Sequence, residues 1–253
     1  LYMQQEKTDL RLAQWNSGKM HNAIPRDGKI VFAVPADKKE EVKADWNNFQ
    51  KDVEDEYHVT DTHMEWKLGS TDAQPVLPKA VSVNLIRAIQ AVDNGVLAMC
   101  QDEALAWMVE TSSNIASVQT EENKVNIVSS QRSNVMSNLK NMANAVKATF
   151  QLAGAEVKQN DGYPAWKMNP ESKLVKITVE AYKKLFGKAP IVKGIHAGLE
   201  CGLFSEKYPH LDMVSFGPTL RNVHTPDECL LIPTVQMVWD HLLEILKNIP
   251  AKA

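Results

Sequence analysis

Apolar residues recur along this chain with two different rhythms, and the change from one to the other limits what it can fold into. From Asp9 to Trp15 apolar and polar residues roughly alternate, Asn16-Ser17-Gly18 supplies turn residues, and Lys29 to Val34 reads as a second strand. A long amphipathic helix is predicted next, with Val42, Trp46, Phe49, Val53 and Tyr57 spaced as a core-facing stripe requires. Another helix is predicted from about Lys79 to Val92, closed by Asn94-Gly95 as a left-handed stop. The early pattern then returns. Ser113 to Gln119 and Lys124 to Ser130 read as strands joined by the polar turn Thr120-Glu121-Glu122-Asn123. Ser133 is the candidate N-cap of a helix that carries Val135, Leu139, Met142, Val146 and Phe150 on one face and stops at Gly154. Two strand-strand-helix units predict an α+β sandwich, its helices on one side of a mainly antiparallel sheet.

The polar, turn-rich segment Gln159-Asn160-Asp161-Gly162-Tyr163-Pro164 predicts a boundary, giving domains at 1–162 and 163–253. Beyond it the rhythm is that of an α/β layer. Asn169-Pro170 caps a helix reaching Phe186, Pro190 to Ile195 is a strand, and Gly198 to Phe204 is a short helix. Met213 to Phe216 is a second buried strand, and Pro233 to Lys247 a final helix stopped by Pro250. This predicts part of a parallel, helix-covered sheet, with only two strands in the layer.

Composition excludes some partners. With 44% apolar residues in 253, the chain can bury a sizeable core. A net charge of −3, from 28 basic and 31 acidic residues spread along the chain, offers no basic stripe for nucleic acid. Cys100, Cys201 and Cys229 form an odd set without Cys-x-x-Cys spacing, which fits a reducing, cytoplasmic setting better than a disulfide framework. No apolar run approaches a membrane span, and the first residues lack signal-peptide character. Leu1 stands where an initiator methionine is expected, which predicts a truncated start.

Ligands of open α/β sheets bind beyond the carboxyl ends of the strands, and two loops fall there: 196–202 and 217–228. The second carries His224 beside Asp227 and Glu228, and neutral imidazole is a common zinc ligand whose other nitrogen a carboxylate can orient. A lone loop histidine is more often a solvated surface residue, since a metal site needs three or more protein ligands. Gly198 could let a substrate approach the main chain or could serve close strand-helix packing.

Three segments carry a resemblance. They are Gly194-Ile195-His196-Ala197-Gly198-Leu199-Glu200-Cys201-Gly202-Leu203-Phe204, then Asp212-Met213-Val214-Ser215, then His224-Thr225-Pro226-Asp227-Glu228. Together they resemble the C-terminal signature of the aminoacyl-histidine dipeptidases, also called cytosol non-specific dipeptidases. Upstream, Asp9-Leu10-Arg11-Leu12, Asn22-Ala23-Ile24-Pro25-Arg26, Val109-Glu110-Thr111-Ser112 and Gln131-Arg132-Ser133 are similar to that family's lid domain. The resemblance implies a lid and dimerisation domain at 1–162. It also implies a C-terminal portion of a zinc-exopeptidase-like catalytic domain at 163–253, so that the chain matches the family's C-terminal half only.

The same resemblance implies an activity: hydrolysis of dipeptides, Xaa-His among them, by an enzyme with two divalent metals, typically zinc, and a homodimer built through the lid. By position His224 matches a metal ligand, Arg132 the arginine that grips the substrate carboxylate, and Asn22 and Gly198 residues of the substrate site. Read without the family, Arg132 is a surface ion-pair residue and Asn22 a turn residue. Thr225 stands where the family often has serine and keeps the hydroxyl. The other metal ligands, the general base and a lid histidine match nothing here, so the chain carries no catalytic residue and is expected to be inactive alone. His196 and Glu200 have no role assigned. A non-catalytic lid-type dimerisation module and a peptide-binding protein are the alternatives.

Overall fold

Alternation in the first strands builds the N-terminal core, as the sequence predicts. The computed structural model describes the chain apart from residues 161, 163, 165, 167, 168, 170, 197, 198, 224–226 and 251–253. It divides into two compact units, one of Leu1–Leu97, Ser112–Gln131 and Asn138–Asn160, the other of Ala98–Thr111, Arg132–Ser137 and Asp161–Ala253.

In the first unit α1 (Tyr2–Thr8) leads into β1 (Arg11–Ser17), which pairs antiparallel with β2 (Gly28–Ala33). The register shifts between Leu12 and Gln14, a bulge. Other groups therefore satisfy the main chain of Leu12. Its N–H donates to the Ser82 hydroxyl at 2.9 Å and its carbonyl accepts from Leu77 N–H at 2.7 Å. Both Leu12 and Ser82 are fully buried, so losing this hydroxyl would strand an amide at a cost of about 1–3 kcal/mol. Ser82 lies on α3 (Lys79–Ala91), which follows α2 (Lys39–Tyr57).

Three further strands complete the sheet: β3 (Gly95–Met99), β4 (Val109–Thr120) and β5 (Val125–Ser133). Its order is β2-β1-β4-β3, with β5 also paired to β4. β1 meets β4 antiparallel through Asn16–Gln119 and Ser17–Val118. Helix α4 (Met136–Leu152) follows. One core cluster joins Leu10 and Leu12 to Leu85 and Ile86; the other joins Ala88 and Val92 to Met142, Val146 and Phe150. Ile127 of β5 packs against both, so α3 and α4 cover the same face of the sheet, as the two-unit pattern predicts.

The ends of these elements differ in places from the expectation. α3 closes at Val92 in extended conformation, and Gly95, at φ 102°, opens β3, a strand the pattern did not reveal. Helix α4 starts at Met136, with the Ser133 hydroxyl accepting from Val135 N–H one turn earlier. It does stop at Gly154, where Ala155 N–H reaches Phe150 O at 3.0 Å and Gly154 N–H reaches Gln151 O at 2.9 Å, a Schellman closure with Gly154 at φ 85°. The α2 stripe is buried only at Val42; Phe49 and Tyr57 are 52% and 44% exposed, and Trp46 and Phe49 form an aromatic trio with Trp66. Helical periodicity showed which side of α2 is apolar but not that it would be covered.

The second unit contains α5 (Lys173–Phe186), α6 (Glu200–Lys207), the two-residue antiparallel strands β6 (Leu220–Arg221) and β7 (Cys229–Leu230), and α7 (Pro233–Asn248). Here the expected parallel layer is corrected, because among the described residues neither 190–195 nor 213–216 forms a strand. A buried parallel strand exists only through ladder bonds to neighbours, and an apolar run cannot supply them by itself. Side chains that such a layer would cover stand open: Ile191 is 82% exposed and Ile195 57%. Order here comes instead from α5 against α7. His241 and Ile245 are buried opposite Thr178 and Ala181, and the His241 imidazole Nε2 lies 2.8 Å from the Thr178 carbonyl.

The cap of α5 also differs from expectation. Ser172, not Asn169-Pro170, is the N-cap, its hydroxyl accepting from Val175 N–H at 3.0 Å. The same hydroxyl donates to Asp212 at 2.6 Å, and Leu174 N–H donates to that carboxylate at 2.9 Å. Burial works against the charged form of Asp212. The Ser172 hydroxyl and the main-chain amides of Leu174, Lys173 and Met213 prevail, holding its pKa below the ordinary carboxylate value. A depressed carboxylate contributes stability above its unfolded pKa and loses it as pH falls through the folded one. Asp212→Asn is thus expected to destabilise the protein by about 1 kcal/mol at neutral pH, the typical value of a helix cap. The difference should shrink below about pH 4; urea unfolding at pH 7 and pH 3 checks both, and an equal loss at the two pH values would refute the charge argument.

Candidate functional site

Several polar side chains of the described chain lie where β4 begins and β5 ends. Local pairing sets their places. Gln131 Nε2 donates to Ser113 Oγ at 3.2 Å, the Thr111 and Ser133 hydroxyls lie 2.9 Å apart, and Asn134 N–H donates to Glu110 O at 3.1 Å. Partners descend along one strand as they ascend along the other, the antiparallel sense, and this register puts Arg132 one residue from the end of β5. Nearby, buried Cys100 takes a hydrogen bond from Asn134 Nδ2 at 3.2 Å, and Glu110 is 92% buried with its carboxylate accepting from Thr111 Oγ1 at 3.3 Å.

Arg132 Nη1 donates to the main-chain carbonyl of His196 at 3.4 Å. His196 is partly buried, and its pKa lies below the ordinary imidazole value, first because burial penalises the charged form and then because the Arg132 cation is close. A hydrogen bond between the ring and the Val109 main chain works the other way.

The expected site residues fall in different parts of the molecule. Arg132 belongs to the second unit, and Asn22 to the first, partly buried in the turn between β1 and β2. There Ala23 N–H bonds Met20 O at 3.3 Å, and Asn114 Nδ2 donates to Ala23 O at 2.9 Å. Gly198 and His224 lie outside the described residues. Glu200 opens α6 with its carboxylate in the first turn, where the helix dipole favours it. Asp212, quoted in the signature without a role, caps α5; forty residues separate it from Ser172, too far for a local pattern to signal.

No group of three or more His, Cys, Asp or Glu side chains among the described residues could hold a metal ion, so these residues do not by themselves fit one. All three cysteines are free, and no described helix is long and apolar enough to cross a membrane.

Comparison with known proteins agrees with the motifs. The family described as Peptidase family M20/M25/M40 matches residues 25–248. The cytosol non-specific dipeptidase of Escherichia coli (strain K12) is 36% identical over 249 residues, which is 98% of this chain and 51% of that protein. The crystal structure of the aminoacylhistidine dipeptidase from Vibrio alginolyticus superposes with a TM-score of 0.81 at 37% identity, covering 98% of this chain and 51% of the other. The chain thus spans about half the length of both relatives. Those shares say how much of each is matched, not which part, so the C-terminal placement expected from the motifs does not stand as a finding. The chain belongs to peptidase family M20/M25/M40, and its relatives in that family are dipeptidases.

Proposed function

We propose that this chain is part of a metal-dependent dipeptidase that takes dipeptides, Xaa-His among them, and that it supplies the group which recognises the substrate's free carboxylate. The observation that carries the reading is Arg132, an arginine at a strand end steadied on one side by the His196 carbonyl. A planar guanidinium offers two parallel donors to a carboxylate, so a peptide anchored there by its C-terminus must be short to place its scissile bond at a fixed distance. Asn22 and Gly198 are the further substrate-site residues of this proposal, and His224 the one metal ligand.

Two zinc ions would polarise the carbonyl and supply hydroxide at neutral pH. The remaining ligands and the base would come from outside this chain. Residues 1–162 would act as lid and dimer module, 163–253 as a portion of the catalytic domain, in a cytoplasmic enzyme. The half-exposed aromatic stripe of α2 supports the dimer contact, because a stripe of that size is more often covered than wetted.

Purified chain of this length, assayed with zinc against glycyl-histidine, is expected to show no turnover. Cleavage at the rate of a full-length relative would overturn the division of labour and make the chain a complete enzyme.

A further inference from the structure

We propose that the outer face of α7 is a docking surface for the half of the peptidase that this chain does not span, and that what docks there is an apolar, strand-bearing layer. This rests on the reading of the chain as part of a larger dipeptidase and adds the surface through which the two parts hold together.

Helix α7 is apolar on two sides. His241 and Ile245 are buried on the side that meets α5. At about 100° per residue, Val235, Trp239, Leu243 and Leu246, with Ile232 at the N-cap, fall within an arc of about 80° on the other side. All five stand open, Ile232 at 78% and Trp239 and Leu246 at 55%. Gln236, Asp240 and Lys247 run along one edge of the stripe, and Gln236 Nε2 donates to Asp240 at 2.9 Å. An apolar centre beside a polar rim is the layout of an interface. A helix at the surface of a protein carries one apolar stripe, whereas a helix apolar all round is covered on every side. Side chains of this size in a continuous row on water mark a surface that another body covers.

Two observations choose the occupant. The 249 matched residues are 51% of the Escherichia coli relative, so nearly as many again stand outside the match. The second unit also holds Ile191 and Ile195 open in a segment that forms no strand, and its strands among the described residues are β6 and β7, two residues each and paired with one another. A second copy of this unit therefore has no described strand to lend. An occupant that carries a sheet can offer ladder bonds to 190–195 and an apolar face to α7.

The test compares the chain alone with a full-length chimera, the Escherichia coli relative with its matched half replaced by this chain. Fluorine NMR of fluorotryptophan-labelled protein, with Trp239 assigned through Trp239→Phe, reads the face directly. The Trp239 signal is expected to shift between light and heavy water in the chain and to lose that shift in the chimera. Trp239→Glu should leave the folding equilibrium constant of the chain within about twofold, as for an exposed position. In the chimera it should lower that constant about a hundredfold, as for the loss of a central aromatic anchor. Trp239 as open in the chimera as in the chain, or an equal loss in both for Trp239→Glu, would overturn the docking face. So would a chimera that stays unfolded beside a folded chain, because the missing half would then offer no matching face. A chain that self-associates, and ceases to with Trp239→Glu, would make a second copy the occupant and overturn it too. Dipeptide turnover is read separately: Trp239 protected without turnover counts against the dipeptidase reading alone, and turnover with Trp239 still open against the docking face alone.

Discussion

Replacing Gly18 with alanine should cost the first unit about 3 kcal/mol or more, while the same change at Gly154 should cost only about 1 kcal/mol. Both glycines have positive φ, 68° and 85°. Each substitution therefore carries the left-handed penalty of an L-residue. They differ in space. A Cβ at Gly18 would fall 2.0 Å from the Ala116 carbonyl oxygen and 3.2 Å from Pro25 Cγ, whereas at Gly154 nothing lies within 4 Å. The oxygen at Gly18 is main chain, so it can move only if β4 moves. β4 is held there by Ser17–Val118 pairing and by Gln119 Nε2, which donates to Gly18 O at 2.8 Å. Urea unfolding followed by the fluorescence of Trp15 in β1 reads the effect near the change. A loss at Gly18 no larger than at Gly154 would show that the sheet accommodates the methyl group.

On the proposed reading of this chain as part of a dipeptidase with Arg132 as its carboxylate clamp, replacing Arg132 with alanine should raise that enzyme's KM for a free dipeptide about a hundredfold, as expected for losing one partner of a desolvated charge pair. The C-terminal amide of the same peptide should be little affected. Arg132→Lys should recover only part of the loss, because an ammonium offers a point charge where the guanidinium offers a planar pair of donors. Steady-state kinetics on both substrates decide it. Equal losses for acid and amide would mean that Arg132 supports the fold and does not read the carboxylate.

Periodicity made β1, β2, α2, α3, β4, β5, α4, α5 and α7 legible to within a few residues, because alternation and helical spacing record which side of a segment meets other atoms. Strand β3, with Val96 and Leu97 on opposite faces and both exposed, records no such contrast and left no signal. The motifs pointed to the family and to Arg132, since long ordered identities survive without any geometry. They were silent on the contact between Arg132 and the His196 carbonyl, 64 positions away.

The sequence by itself determined the nine elements just named, the turn glycines Gly18 and Gly154, and the family. Only the tertiary structure decided that Ser82 satisfies Leu12, that Asp212 caps α5, that α2 keeps an open aromatic stripe, and that 190–195 and 213–216 are not strands. The physical reason is common to all four. Helices carry their hydrogen bonds within a local segment, so local sequence specifies them. Strand ladders, distant caps and the covering of an apolar face need a partner far along the chain or beyond it, and a residue's own neighbours do not name that partner.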